Sequence, residues 1–446
     1  MASYETYEIK KNALSKQMRE TPRGVRLGKG TTNLYRQREG RKAEVNLDVR
    51  SFTEVIEVNE KGQYVDVEGM ASYEKIADAT VLHGVVPAVV PEFKSITAGG
   101  AISGVGIEAS SFKFGLVHET MLEADVLLAD GQVVKATSDN EHGDLFHAFP
   151  NSYGTLGYIL RARMRTVPAA PFVRLSHTRH ADLDRYFKQV QAQCDAGEAD
   201  FMDGTIFSPK DLVLTTGHFS EKAPYQSDYT FENIYYKSLR ERSEDYLTTR
   251  DFLWRWDTDW FWNSRLLGAE NPIVRRLIGK KRLGSTFFRK AMEVSTRLKL
   301  GKALRIVNGP QKEVVIQDVD IPIENASAFV DFLDREVGVV PVWMCPIATP
   351  SHEARFPLYP LDPQKLYINF GIWGRSQSTK KDPRYVSKLL EQKTEELDGV
   401  KSLYSDSHYD QKTFWGIYDQ DFYNRVKQKY DPNKRFKSLY DKAVSK

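Results

Sequence analysis

The chain has 446 residues, of which 41% are hydrophobic, 12% aromatic and 28% charged. That composition belongs to an ordinary globular protein of about two or three domains and excludes wholesale disorder. Lys and Arg total 63 against 60 Asp and Glu, a net charge of +3, which argues against a general nucleic-acid binder. No apolar run reaches the ~20 residues of a membrane-spanning helix, and the start MASYETYEIKKNALSKQM lacks the apolar stretch of a signal peptide, so a cytoplasmic protein is expected. Cys194 and Cys345 lie far apart with no partner at metal-ligand spacing, so neither a disulfide nor a metal site is expected.

In chain order, residues 42–70 are β-rich, with Lys61-Gly62 marking a hairpin turn between two alternating runs. SYEKIADATVLHG places Ile76, Ala77, Ala79 and Leu82 near helical spacing and stops at Gly84. The glycine-rich run SITAGGAISGVGIEASS reads as neither strand nor helix interior. MLEADVLLADGQVVKAT has strand-like runs flanking Asp130-Gly131, a strong hairpin signal, and YILRARMRTV is a further strand. Pro168 and Pro171 mark a boundary. Beyond it, VRLSHTRH then ADLDRYFKQVQAQC, and later QDVDIP then ENASAFVDFLDREV, repeat a strand-then-helix order, while LYINFGIW reads as a buried strand. The tail FYNRVKQKYDPNKRF is a helix stopped before Pro432.

Three stretches could bring backbone N–H groups close to an anion: Leu27 to Asn33, Ser95 to Gly106, and Asn151 to Gly157. Two look-alikes fail. Gly104-Val105-Gly106-Ile107-Glu108-Ala109 fits GxGxxA but follows no clean strand, and the first glycine of a P-loop ending at Gly28-Lys29 would fall on Arg23.

Taken together, LGKGTTN, the glycine-rich run, NSYGTLGYI and the terminal KQKYDPNKRF closely resemble the flavoprotein family of vanillyl-alcohol oxidase and p-cresol methylhydroxylase (PCMH). LGKGTTNLYR, GIEASSFKFGL, FPNSYGTLGY, WRWDTDWFWNSR and WMCPI are most similar to the branch holding Δ24-sterol reductases and bacterial reductases of methylene-branched fatty acyl chains. The resemblance implies an α+β fold: a PCMH-type FAD-binding domain of two subdomains (1–168), an α+β cap or substrate domain (169–408) with an aromatic-basic insertion at 235–305, and a C-terminal segment (409–446) returning to the FAD domain. It assigns FAD to Gly28, Lys29, Gly30, Thr31, Thr32 and Asn33; to Pro91, Thr97, Ala98, Gly99, Gly100, Gly104, Ser110, Ser111 and Gly115; and to Gly154 and Ile159. Thr32 and Asn33 stand where relatives carry an attaching His or Cys, so FAD is expected to be non-covalent.

The implied reaction is NAD(P)H-dependent reduction of a methylene-branched acyl chain. A sterol-side-chain reductase, an acyl desaturase or an O₂-using alcohol or sugar oxidase are the alternatives, and a methyltransferase of the same pathway is the implied partner. Reducing an isolated alkene needs an acid in a dry pocket. Glu108, His118 and Tyr153, beside the glycine loops, are the candidates, with His352, Arg355 and Tyr367 in the cap behind them. Trp254, Trp256, Trp260 and Trp262 crowd into DFLWRWDTDWFWNSRLLG ahead of a strongly basic stretch. Two readings stand: a peripheral contact through 252–305 with the inner face of a membrane, giving access to a lipid substrate, or cap core beside a solvated basic face.

Overall fold

The computed structural model describes residues 3–21, 24–29, 34–36, 45–287, 290, 313–351, 355–377, 382 and 384–444. Helix α1 (Tyr4–Glu20) starts at Ser3, whose Oγ accepts the Thr6 N–H. It is absent from the expected elements because its buried contacts are few, Tyr7, Leu14 and Met18 among them. Strands β1 (Val25–Gly28) and β2 (Val45–Asp48) pair in parallel. β3 (Val55–Asn59) and β4 (Tyr64–Glu68) form the hairpin expected around Lys61-Gly62. Helix α2 (Tyr73–Val81) stops before Gly84, which takes a φ of 65°. β5 (Val85–Pro87) follows.

The glycine-rich run corrects the sequence reading: Ala98–Ser103 is a helix, α3. Thr97 Oγ1 accepts the Gly100 N–H as an N-cap. The glycines are there for proximity rather than for turning: a Cβ on Gly99 would stand 3.0 Å from the Gly69 carbonyl oxygen. β6 (Met121–Leu127) and β7 (Val133–Ala136) form the Asp130-Gly131 hairpin, and β8 (Tyr158–Pro168) runs through the middle of a sheet ordered β3-β4-β8-β6-β7, with β5 on the end of β8. Val65, Val67, Ala162 and Met164 pack with Ile76, Ala77, Ala101 and Ile102 of α2 and α3. Leu127, Tyr158 and Leu160 meet Tyr7, Leu14 and Met18 of α1.

The second unit is one antiparallel sheet. Its strands are β9 (Phe172–His180), β10 (Phe201–Ser208), β11 (Asp211–Ser220), β12 (Glu244–Thr248), β13 (Val314–Pro322), β14 (Val342–Ile347), β15 (Tyr367–Arg375) and β16 (Val400–Lys401), ordered β12-β9-β11-β10-β14-β15-β13-β16. Helices α4 (Leu183–Ala196), α5 (Ala326–Phe332) and α6 (Tyr385–Glu396) cover one face. Side chains alternate across a strand. Met344, Ile368 and Phe370 therefore meet Phe187, Phe329 and Leu390 of the helices, while Trp343, Cys345 and Trp373 point the other way, into the core shared with the N-terminal unit. On β13 the same alternation sends Val315, Val319 and Ile321 to the helices and leaves Asp318 and Asp320 on the opposite face.

The four clustered tryptophans close this core. Trp254, Trp256, Trp260 and Trp262 are 0–6% exposed. Trp262 Nε1 donates to the Trp373 carbonyl at 2.7 Å and Trp256 Nε1 to Asp203 at 3.2 Å. Of the two readings of this insertion, cap core is the one these rings satisfy. The stretch from 291 to 312 lies outside the described residues.

Helix α7 (Gln420–Tyr430) returns the chain to the N-terminal unit. Lys427 Nζ donates to the Thr155 carbonyl at 2.6 Å, and Phe436 packs edge-on against Tyr158 with ring centroids 5.0 Å apart. Among the described residues no helix is long and apolar enough to cross a membrane.

Candidate cofactor site and its acid

A cavity of about 510 Å³ lies where the two units and the C-terminal segment meet, within the size range of large-ligand sites. One end is framed by β1 and the C-terminal segment: Val25, Leu27, Tyr158 and Phe436 line it, and the Tyr158 hydroxyl donates to the Val25 carbonyl at 3.2 Å. The other end is an aromatic box of Phe93, Phe261, Trp343, Trp373 and Tyr404. Phe93 stands 5.6 Å and Phe261 5.7 Å from Trp373 between ring centroids, and Tyr404 stacks on the same indole at 6.2 Å.

Of the residues assigned to FAD by resemblance, Lys29, Pro91, Thr97, Gly99, Gly100, Gly104, Gly154 and Ile159 line this cavity. Gly28 ends β1 beside Lys29, and Ala98 is buried in α3. Ser110, Ser111 and Gly115 stand off the cavity: Ser110 Oγ donates to the Ala88 carbonyl, Ser111 Oγ accepts the Glu108 N–H, and Gly115 turns the chain at a φ of 72°. Gly30, Thr31, Thr32 and Asn33 lie outside the described residues.

The three candidate acids part company. Tyr153, at a φ of 51°, lines the cavity with the Arg36 guanidinium 4.6 Å from its ring centroid. Glu108 does not line it. Its Oε1 accepts Arg255 Nη2 at 2.6 Å, and the same nitrogen donates to Asp203 Oδ2 at 2.7 Å. Burial pushes the Glu108 carboxyl up and Arg255 pulls it back. His118 also stands off the cavity, edge-on to Phe356 with centroids 4.4 Å apart; burial lowers its pKa to about 3 and keeps the ring neutral. Tyr367 donates no proton to the cavity either; its hydroxyl accepts the Asp362 N–H. Arg355 is exposed, and His352 is outside the described residues.

Three carboxyls that the sequence reading did not single out do line the cavity: Glu92, Asp318 and, on the C-terminal segment, Asp441. Asp318 reaches it from β13 and accepts a long hydrogen bond from Trp373 Nε1 at 3.4 Å. Burial pushes its pKa up to about 7; the Trp373 hydrogen bond pulls it back, and the neighbouring Asp320 adds a smaller push. Glu92 is raised well above its ordinary range by burial and by the charges of Glu108 and Asp318. The signal was present in QDVDIP: on a strand whose alternate residues are buried apolar ones, the carboxylates share the opposite face.

The cavity fits a large cofactor with an anionic middle and a flat ring. Lys29, Lys437 and Lys442 line it as cations, the floor is backbone at Gly99, Gly100 and Gly104, and the buried hydroxyls of Tyr153 and Tyr404 make no hydrogen bond of good geometry within the protein. Such hydroxyls are costly unless a bound group satisfies them.

Residues 12–137 match the FAD binding domain family. This N-terminal part of the chain is an FAD-binding domain. Along most of its length, that domain included, the chain is 28% identical over 407 residues to Delta(24)-sterol reductase of Homo sapiens, covering 88% of this chain and 76% of the relative. The same enzyme from Pisum sativum is 25% identical over 438 residues, covering 89% and 76%. Cytokinin dehydrogenase 2 of Oryza sativa subsp. japonica is 30% identical over 168 residues, 35% of this chain and 30% of the relative. The chain is an FAD-dependent oxidoreductase.

Gly69 is a further residue of this flavoprotein's cavity that the sequence reading passed over. A Cβ there would fall on the Ile159 carbonyl oxygen, and the Gly99 N–H already donates to the Gly69 carbonyl at 2.9 Å. Gly69→Ala is expected to push α3 away from β8, costing about 1–3 kcal/mol. The purified protein should carry severalfold less flavin, read as the ratio of flavin to protein absorbance.

Proposed function

We propose that the chain reduces an isolated carbon-carbon double bond in the hydrocarbon part of a lipid, with a methylene-branched fatty acyl chain as substrate and NAD(P)H as electron source. The observation that carries this reading is the acid in the aromatic box: Asp318, its pKa pushed up to about 7 by burial so that a substantial share stays protonated near neutrality, faces a cavity walled by Phe261, Trp343, Trp373 and Tyr404. An alkene without a neighbouring carbonyl offers no carbanion stabilisation, so protonation of its less substituted carbon comes first and leaves positive charge on the branched one. Aromatic faces stabilise such a cation and exclude the water that would capture it. FAD, held by the Lys29 and Thr97–Gly104 region, supplies the hydride when reduced. Trp373 Nε1 donates to the Asp318 carboxyl and orients it.

A second reading, a sterol side-chain alkene, is favoured by the Delta(24)-sterol reductases that align with most of the chain. Both substrates give a tertiary cation and ask the same of Asp318. At 25–28% identity the shape of the pocket is free to differ. Anaerobically reduced protein mixed with phospholipid carrying a methylene-branched chain should regain its oxidised flavin spectrum and yield the methyl-branched product. Reoxidation by a side-chain-unsaturated sterol instead would establish the second reading. Reoxidation by O₂ alone, with neither lipid consumed, would overturn both.

A further inference from the structure

The helix Pro272–Ile278 is amphipathic in the wrong sense for a soluble protein. Its inward residue is Arg275, 2% exposed, whose Nη1 and Nη2 donate to the two carboxylate oxygens of Asp259 at 2.7 and 2.9 Å. Its outward residues are Ile273 and Leu277, 71% and 79% exposed. Residues four apart stand one above the other on a helix, so these two make a single apolar ridge. The ridge is held in place: Asn271 Oδ1 accepts the Ile273 N–H at 2.9 Å, and the Arg275–Asp259 pair fastens the opposite face to the core. The chain then turns directly through Lys280, Lys281 and Arg282, all exposed. Arg276 is exposed as well and pairs with Glu232 at 3.0 Å.

We propose that this ridge and its basic turn dock the protein on an anionic phospholipid bilayer, with Ile273 and Leu277 entering the boundary between headgroups and acyl chains and Lys280, Lys281 and Arg282 meeting the lipid phosphates. Charge decides the occupant. Exposed apolar side chains bordered by cations match a surface that is negative above and apolar beneath, whereas a second copy would bring the same cations face to face. The proposal stands on this surface alone and does not depend on the substrate being a lipid. It also relocates the membrane contact expected from the tryptophans, which are interior, to residues on the outside of the same insertion.

Flotation of the flavin-loaded protein with vesicles tests it. Binding is expected to vesicles of equal parts phosphatidylcholine and phosphatidylglycerol at low salt, to weaken as salt screens the cations, and to be absent with phosphatidylcholine alone. The Ile273→Asp/Leu277→Asp protein and, separately, the Lys280→Glu/Lys281→Glu protein should each bind about tenfold or more weakly, with flavin spectrum and melting temperature unchanged. Wild-type protein that ignores the anionic vesicles, or variants that float as the wild type does, would overturn the proposal. So would gel filtration showing a dimer that the Ile273→Asp/Leu277→Asp pair splits, which would assign the ridge to a second copy.

Discussion

Asp318→Asn protein is expected to purify with its flavin bound and its fold intact, and to reduce substrate roughly a hundred- to ten-thousand-fold more slowly, the ordinary worth of a positioned general acid. Asparagine keeps the shape and can still accept from Trp373 Nε1, but it has no acidic proton to give. Reduction of the flavin by NAD(P)H should proceed at close to the wild-type rate, so that the loss appears in the oxidative half-reaction alone. The pH dependence follows from the raised pKa. The Asp318 carboxyl is protonated below about 7 and ionised above it, so wild-type turnover should fall as pH rises through that value. The same group stabilises the fold at low pH relative to high: its folded pKa lies above its unfolded one, and the advantage fades between roughly pH 4 and 7. Asp318→Asn should remove both dependences. A variant that turns over normally with an unchanged pH profile would take Asp318 out of the reaction.

Arg255→Met is expected to produce a large loss of stability, about 3–5 kcal/mol, measured by denaturant unfolding. Arg255 is 3% exposed and is the cation shared by Glu108 of the N-terminal unit and Asp203 of β10. Methionine fills much of the volume and leaves two buried carboxylates facing each other. Asp203 also accepts the indole N–H groups of Trp256 and of Trp343, at 3.2 and 3.3 Å, and Trp343 lines the cavity. The damage should therefore reach the flavin, with retention falling alongside stability. Glu108→Gln is the informative contrast. It leaves Arg255 paired with Asp203, so its cost should be about 1–2 kcal/mol and its turnover within a few-fold of wild type, the result expected of a structural ion pair rather than of the acid.

The hairpins at Lys61-Gly62 and Asp130-Gly131 and the helix at 183–196 were legible because turn chemistry and periodicity are local. The glycine-rich run was misread for the opposite reason. Ala98–Ser103 is helical because Thr97 caps it and because only small residues fit so close to Gly69 and Ile159. The glycine loops were read as a composite, since their order and spacing carry information that no single loop does, and Lys29, Gly99, Gly100, Gly104 and Gly154 from them line one cavity. The acid was not. Whether a carboxylate on β13 faces helices or cavity depends on which side of an eight-stranded sheet the N-terminal unit packs, and Glu108 and Arg255 are 147 residues apart. The tryptophan cluster shows the same limit: its composition suits a membrane surface or a core, and only the packing of Trp262 on Trp373 and Trp256 on Asp203 separates them.

The central claim is that this chain holds a flavin and reduces an alkene through it. An absorbance spectrum of the purified protein, taken before and after anaerobic NADPH and again after addition of the methylene-branched phospholipid, tests it most directly. An oxidised flavin band that bleaches with NADPH and returns with the lipid is expected. A colourless protein that takes up no added FAD would contradict it.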